Sequence, residues 1–428
     1  MIPLRAVQLA AAALLLAAFT RSALTGLSDP GVALVFVAVI AVGERVRVTL
    51  PGDREQAPIG AAVALAYALL GPLRGLPSAH GVLQAVAVAG AGTLAGMVRL
   101  PPGRPGPAAL DAAARRLLTV GFAATLFQPL YNSGALDRVP LSGPAYGGFL
   151  TGVAALTALC DATLAAVLHR GRTGQRFTTA LEDELHALLG IGSAIIATGM
   201  LISLLAGEVG LWALPLFCTP LLLAQASFRR AAAVRATTGQ TIETLARATE
   251  IAGYTPVGHA RRVADTACAL GRELGLGTRE LALLEYAALM HDIGQLSLVE
   301  PVPGGATALL PQPEQQRIAR LGSEVIRRTG VPRQVSQQVA RLADPCCRPD
   351  GSNDRSLPIA ARIIRVANAH DDLLTAAHGR GLSGPAGRLD ALERLRLERG
   401  RTYDPRVIEA LARLGPRHAP RGWPDGQG

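Results

Sequence analysis

Apolar residues crowd the first half of the chain and recur at intervals in the second. Before residue 228 they form long runs separated by short arginine-bearing loops. A helix that crosses a bilayer needs about 20 mostly apolar residues. On that measure candidate spans lie at about 6–20, 31–44, 57–73, 80–98, 117–133, 145–168, 186–206 and 209–228. The pattern predicts an N-terminal polytopic transmembrane helix bundle of about eight spans over residues 1–228. Residues 229–240 are rich in helix formers and lack proline, which predicts a juxtamembrane helix or linker. This stretch reads either as a rod continuing the last span or as a tether whose arginines are drawn to anionic lipid. From 241 to 412 the period changes. Val263, Ala264, Ala267, Leu270 and Leu274 recur at three/four spacing, as do Leu281, Leu284, Ala287, Ala288 and Met290. No alternating strand pattern appears, so the fold class is all-α throughout. Residues 413–428, broken by Pro and Gly, are expected to form a disordered tail.

Composition agrees with a membrane domain followed by a polar one. Half the residues are hydrophobic, 17% are charged and the mean hydropathy is +0.30, which excludes an ordinary soluble chain. The net charge of +10 comes from arginine, since the sequence contains no lysine. Its distribution is informative. Arg5, then Arg45, Arg47 and Arg54, then Arg99, Arg104, Arg115 and Arg116, then Arg170, Arg172 and Arg176, then Arg229 and Arg230 fall on one side of the eight-span scheme. Only Arg21, Arg74 and Arg138 fall on the other. Positive residues stay cytoplasmic. Both ends are therefore expected inside, with the protein multi-pass in the cytoplasmic membrane and its C-terminal domain in the cytoplasm. The arginines are explained by membrane lipid as a partner, and no nucleic-acid partner is expected. Asp161 is the one ionisable group well inside a span. It is expected to carry either an intramembrane function or an ion pair to Arg170 or a neighbouring helix. The cysteines, Cys160, Cys218, Cys268, Cys346 and Cys347, have no zinc or disulfide-framework spacing. No pair of interrupted segments in matching halves supports a transporter.

Candidate chemistry lies in the second half. His291 and Asp292 follow an apolar helix in Ala287-Ala-Leu-Met-His-Asp-Ile-Gly-Gln295, and His259 lies upstream in Gly258-His-Ala-Arg-Arg-Val263. A neutral imidazole beside a carboxylate is a compact way to hold a divalent metal.

These residues, with Glu250 nine positions before His259, resemble the HD superfamily of metal-dependent phosphohydrolases. More narrowly the chain resembles the HD-GYP branch, known for hydrolysing cyclic di-GMP. The run from Leu357 to Leu373, Ala391-Leu-Glu-Arg-Leu395, and Tyr403-Asp-Pro-Arg-Val-Ile-Glu-Ala-Leu411 extend the resemblance over about 241–412. It implies Glu250, His259, His291 and Asp292 as metal ligands, with His291 and Asp292 at the catalytic centre. The rest of the implied site differs. Gln295 stands for the motif's lysine, Ile318 for a later histidine, Pro345-Cys346-Cys347 for a His-His-Glu run, and Asn368 for the late aspartate ligand. Ser352-Asn-Asp-Arg-Ser356 replaces the Gly-Tyr-Pro signature. His370, Asp371 and Asp372 lie two to four residues past the late position and could stand in for it only by a shift of register along the helix. Phosphodiester hydrolysis of this class needs a positive clamp on the phosphate, and two metals stabilise both attacking and leaving oxygens. The missing ligands imply one metal rather than two. The preferred reading is a membrane-anchored signalling protein with a degenerate HD-GYP-like domain, catalytically weak or silent. The alternative is an active phosphohydrolase on a nucleotide or cyclic dinucleotide. A homodimer is expected by analogy.

Overall fold

Proline marks where helices begin in the first half. Pro30, Pro58, Pro107 and Pro144 each sit in the first turn, where a missing N–H costs nothing. The computed structural model describes residues 2–50, 54–98, 106–138, 143–346 and 354–414. It divides into two compact units, Met1–Ala233 and Val234–Gly428, with the boundary inside a helix. The first unit contains α1 (Ile2–Thr25), α2 (Pro30–Arg45), α3 (Pro58–Ala68), α4 (Val82–Met97) and α5 (Pro107–Asn132). It continues with α6 (Ala135–Arg138), α7 (Pro144–Thr173), α8 (Phe177–Ala187), α9 (Ser193–Val209) and the start of α10 (Ala213–Ile251). Among the described residues the regular sheet structure is one short antiparallel hairpin, Val48–Leu50 with Arg54–Gln56, in which Val48 faces Gln56. The all-α expectation holds at that level.

The expected count of about eight spans is corrected. Three helical stretches among the described residues are long and apolar enough to cross a membrane: Leu4–Thr25, Pro144–Thr173 and the succession Phe177–Ile251. The succession merges two of the expected spans, 186–206 and 209–228. Three other expected spans are curtailed by their helix ends. α2 and α4 have 16 residues each and α3 has 11, all short of the roughly 20 a hydrocarbon core requires. In α5 the charged Asp111, Arg115 and Arg116 take up the first turns and leave too short an apolar remainder. The unit still exposes many large apolar side chains, among them Leu9, Leu16, Leu24, Leu189 and Leu223, and its longest apolar helices are little buried. That surface is compatible with membrane association.

Asp161 sits half-buried on α7, paired with Arg115 at 3.1 Å and accepting a hydrogen bond from Thr119 Oγ1 at 3.2 Å. Both partners lie on α5 at i, i+4 spacing, so its arginine is Arg115 rather than Arg170. A pocket of ≈ 620 Å³ opens beside it, lined also by Arg116, Thr157 and Ile195. Arg116 in turn is paired with the buried Glu44.

The second unit holds α11 (His259–Leu274), α12 (Thr278–Leu289), α13 (Gln312–Arg327), α14 (Arg333–Ala340), α15 (Ile359–Gly379), α16 (Gly384–Leu397) and α17 (Pro405–Leu414). α15 is the central element. Ile363, Ile364, Val366 and Ala367 are fully buried, and α11, α12, α14, α16 and α17 all pack against it. The last turns of α10 join the same core through Ile242 and Ala246. The tail from 415 to 428, Cys347, and the loop residues 348–353 lie outside the described residues. Of the described cysteines, Cys160, Cys218 and Cys268 are free thiols.

Candidate metal centre

Three short segments bring the candidate ligands together. His259 is the first residue of α11, entered through Gly258, whose φ of +76° suits glycine. His291 and Asp292 follow the end of α12 and lead into a 3₁₀ turn, Ile293–Ser297. That turn lies against the backbone of α13. A Cβ on Gly294 would stand 2.1 Å from Ile318 O and 2.7 Å from Gly322 N, so only glycine fits this position. A second short turn, Thr307–Leu309, closes the site from the side.

The three potential ligand atoms form a nearly equilateral triangle. His259 Nε2 lies 3.3 Å from His291 Nε2 and 3.4 Å from Asp292 Oδ2, and His291 Nε2 lies 3.3 Å from the same oxygen. All three side chains are buried. An ion held about 2.0–2.2 Å from each ligand in tetrahedral geometry sets ligand spacings of about 3.3–3.6 Å. The observed edges fit that spacing.

The outward hydrogen bonds fix the ring tautomers. His259 Nδ1 donates to Asp371 Oδ2 at 2.8 Å, and His291 Nδ1 donates to Ala288 O at 2.7 Å. Each neutral ring therefore turns an Nε2 lone pair toward the centre, the arrangement that carboxylates and carbonyls behind metal-bound histidines enforce. Asp371 is gripped by Arg262, whose Nε and Nη2 donate to its two oxygens at 2.9 Å each. Thr307 Oγ1 donates to Asp292 Oδ1 at 3.0 Å. Asp292 Oδ2 has no hydrogen-bond donor of its own among the described residues. Two lone pairs and a carboxylate oxygen facing one point repel each other unless a cation or a proton sits between them.

Electrostatics point the same way. Burial disfavours charge on the rings, but Asp292 and Asp371 outweigh it and lift His259 to about 10. Asp292 lifts His291 above the ordinary imidazole range in spite of burial. The two rings hold Asp292 far below the usual carboxylate range against the burial that would raise it. Asp372, whose Oδ2 accepts from the Ala308 N–H at 3.0 Å, is pushed up to about 7 by burial. The pocket is thus built to attract positive charge.

Glu250, which the resemblance implies as a ligand, lies outside this cluster. Among the described residues the cluster with metal-binding geometry consists of His259, His291 and Asp292. On α10, Ile242, Ala246 and Thr249 are the buried positions. Glu250 is one residue past Thr249, turned about 100° from the face that packs inward, and only half-buried. Asn368, by contrast, reaches the site. Its Nδ2 donates to Thr307 Oγ1 at 3.1 Å, while its buried Oδ1 has no partner among the described residues. Ile318 is buried and lines the same pocket, whereas Cys346 directs its thiol to Arg401 O at 3.5 Å. Gln295, in the place of the motif's lysine, is fully buried. The pocket is lined by His291, Asp292, Thr307, Ile318, Arg365, Asn368 and Tyr403 among others.

Asp371, Arg262 and Thr307 orient the trio; of these the sequence pointed to Asp371 alone, as a neighbour of the late ligand position rather than as a support for His259. A signal for Asp371 does exist. It lies beside Asp372 within an α15 whose neighbouring positions are buried on every side, and a buried carboxylate requires a partner.

The comparisons agree with this geometry. Residues 257–372 match the family model of the HD domain. This segment is an HD domain. The chain is 31% identical over 185 residues to the cyclic di-GMP phosphodiesterase response regulator RpfG of Xanthomonas campestris pv. campestris, covering 41% of this chain and 47% of that protein. It is 25% identical over 170 residues to a cyclic di-GMP phosphodiesterase of Thermotoga maritima, covering 36% of this chain and 44% of that one. The chain spans less than half the length of the curated relatives it matches. The expected membership of the HD superfamily is borne out, and His259, His291, Asp292 and Asn368 all lie within the matched residues.

Proposed function

We propose that the chain is a multi-pass, membrane-anchored signalling protein whose cytoplasmic HD domain binds one divalent metal ion and a phosphoester of the cyclic dinucleotide class, with weak or silent hydrolysis. The observation that carries this reading is the triangle of His259 Nε2, His291 Nε2 and Asp292 Oδ2, edges 3.3–3.4 Å, with both Nδ1 atoms committed outward. A metal bound there supplies Lewis-acid polarisation of a phosphoryl oxygen. The chain's own residues do the rest. Asp371 and Ala288 O hold the ring orientations, and Thr307 fixes Asp292 through its other oxygen. The buried walls exclude water.

One metal is favoured over two because the far side of the pocket offers Ile318 and the neutral Asn368. Cyclic di-GMP is the ligand chosen because the relatives bear that substrate in their names. A second reading, active phosphodiesterase, is supported by the same trio of ligand atoms.

Elemental analysis of the purified full chain in detergent tests the proposal, together with product release from cyclic di-GMP and a His291→Ala control. One metal per chain with little or no His291-dependent turnover is the expected result. Two metals per chain and rapid turnover abolished by His291→Ala would favour the second reading. No metal above trace would sink both.

A further inference from the structure

Arginines buried in the HD unit are tied to acceptors, with one exception. Arg262 is bound to Asp371 through two nitrogens and to Val257 O through Nη1. Arg362 donates to Asp404 Oδ2 at 3.0 Å, to Leu357 O at 3.1 Å and to Asp354 O at 2.6 Å. Arg365, one turn further along α15, is 8% exposed, yet its Nη1 has no hydrogen-bond partner among the described residues. Its guanidinium lies 5.9 Å from the centre of the Tyr403 ring, a contact that positions a cation without neutralising it. Burial disfavours its charge, and the through-space attraction of Tyr403 and Asp344 does not outweigh that cost. A bound anion would supply the acceptor that Nη1 lacks.

The place of Arg365 identifies the ligand. Arg365, Asn368 and Asp372 follow one another at i, i+3 and i+7, one stripe of α15. Arg365 and Asn368 line the same pocket as His291 and Asp292. A guanidinium fork in one pocket with two of the metal-type ligands suits a tetrahedral oxyanion. The polar remainder of the lining, Thr307, Gln315, Asn368 and Tyr403, offers hydroxyl and amide groups rather than a second cation.

We infer that Arg365 is the phosphate-binding residue of this pocket, supplying a fixed positive charge that grips a phosphoryl group in the pocket it shares with His291 and Asp292. The inference rests on the proposed metal site for the rest of the pocket, but its recognition element is the arginine itself.

The test is calorimetric binding of inorganic phosphate to the full chain in detergent, with Mn²⁺ present. Dimethyl phosphate serves in a parallel arm to separate a diester from a free or terminal phosphate. Arg365→Met is expected to weaken binding in at least one arm by about 10- to 100-fold, the range of a lost charge-assisted hydrogen bond. Metal content should be unchanged. Arg365→Lys, which keeps the charge and loses the fork, should fall between. Absence of phosphate binding in the wild type, or binding by Arg365→Met within about twofold of wild type in both arms, would overturn the inference. If Arg365→Met fails to fold, Arg365→Lys decides. Weaker binding at unchanged metal content supports the inference, and unchanged binding refutes it. The two proposals fail separately. Arg365-dependent phosphate binding without any bound metal sinks only the metal site. Full metal content with phosphate binding indifferent to Arg365 sinks only the inference.

Discussion

Metal affinity in this site should depend steeply on pH, and the structure gives the magnitude. His259 must lose the proton on Nε2 before that atom can bind a cation. The carboxylates of Asp292 and Asp371 overcome burial and hold that proton until about pH 10. One pKa unit corresponds to about 1.4 kcal/mol, so at pH 7 the proton opposes metal binding by about 4 kcal/mol. Each displaced proton makes the apparent affinity fall about tenfold per pH unit below the ring's pKa. Between pH 9 and pH 7 His259 alone therefore predicts a loss of about 100-fold. His291, also raised, acts in the same direction. So does Asp372, pushed up to about 7, because it gains its negative charge as the pH rises through that value. The sign is unambiguous: affinity increases with pH. Competition between the full chain and a chelator of known pH dependence, with Mn²⁺ from pH 7 to pH 9, measures the slope. A slope under about half a log unit per pH unit would refute the claim that metal and proton compete for His259 Nε2.

Three substitutions examine the surroundings of the trio. Asp371→Asn removes the charge behind His259 while keeping one acceptor. Equilibrium dialysis should show metal affinity lowered about 10- to 100-fold, the usual cost of losing an outer-shell carboxylate. Glu250→Gln should leave metal affinity within about threefold of wild type, since the side chain lies outside the trio, whereas a loss above tenfold in the same dialysis would restore it as a ligand. Gly294→Ala places a Cβ 2.1 Å from Ile318 O, a backbone atom with little freedom to yield. Chemical denaturation should show a loss of about 3 kcal/mol, and metal content should fall as the His291–Asp292 turn is displaced.

What could be read from the chain in advance depended on how local the information is. The helical period of 259–274 and 278–289 follows from neighbouring residues, and so did the His291–Asp292 pair with His259 upstream. The orienting bond from His259 to Asp371 joins positions 112 residues apart, and no local pattern announces it. Asp371 lies three residues past Asn368, yet its carboxylate stands behind the His259 ring rather than among the three ligand atoms, a role that local spacing does not reveal. The resemblance implies Glu250 by its place before His259, whereas the inward face of α10 is set by Ile242, Ala246 and Thr249. The span count failed for a different reason. Apolar runs were measured without their helix ends, and the ends of α2, α3 and α4 leave those helices short.

The contact between Gly294 and the backbone at Ile318 also bears on the chemistry the pocket can present. Because the metal-bearing turn and α13 touch through main-chain atoms, their relative placement does not depend on the side chain at 318. Any side chain placed at 318 would be carried by the same main chain, so exchanging this residue changes the chemistry offered to the pocket without moving the wall that offers it.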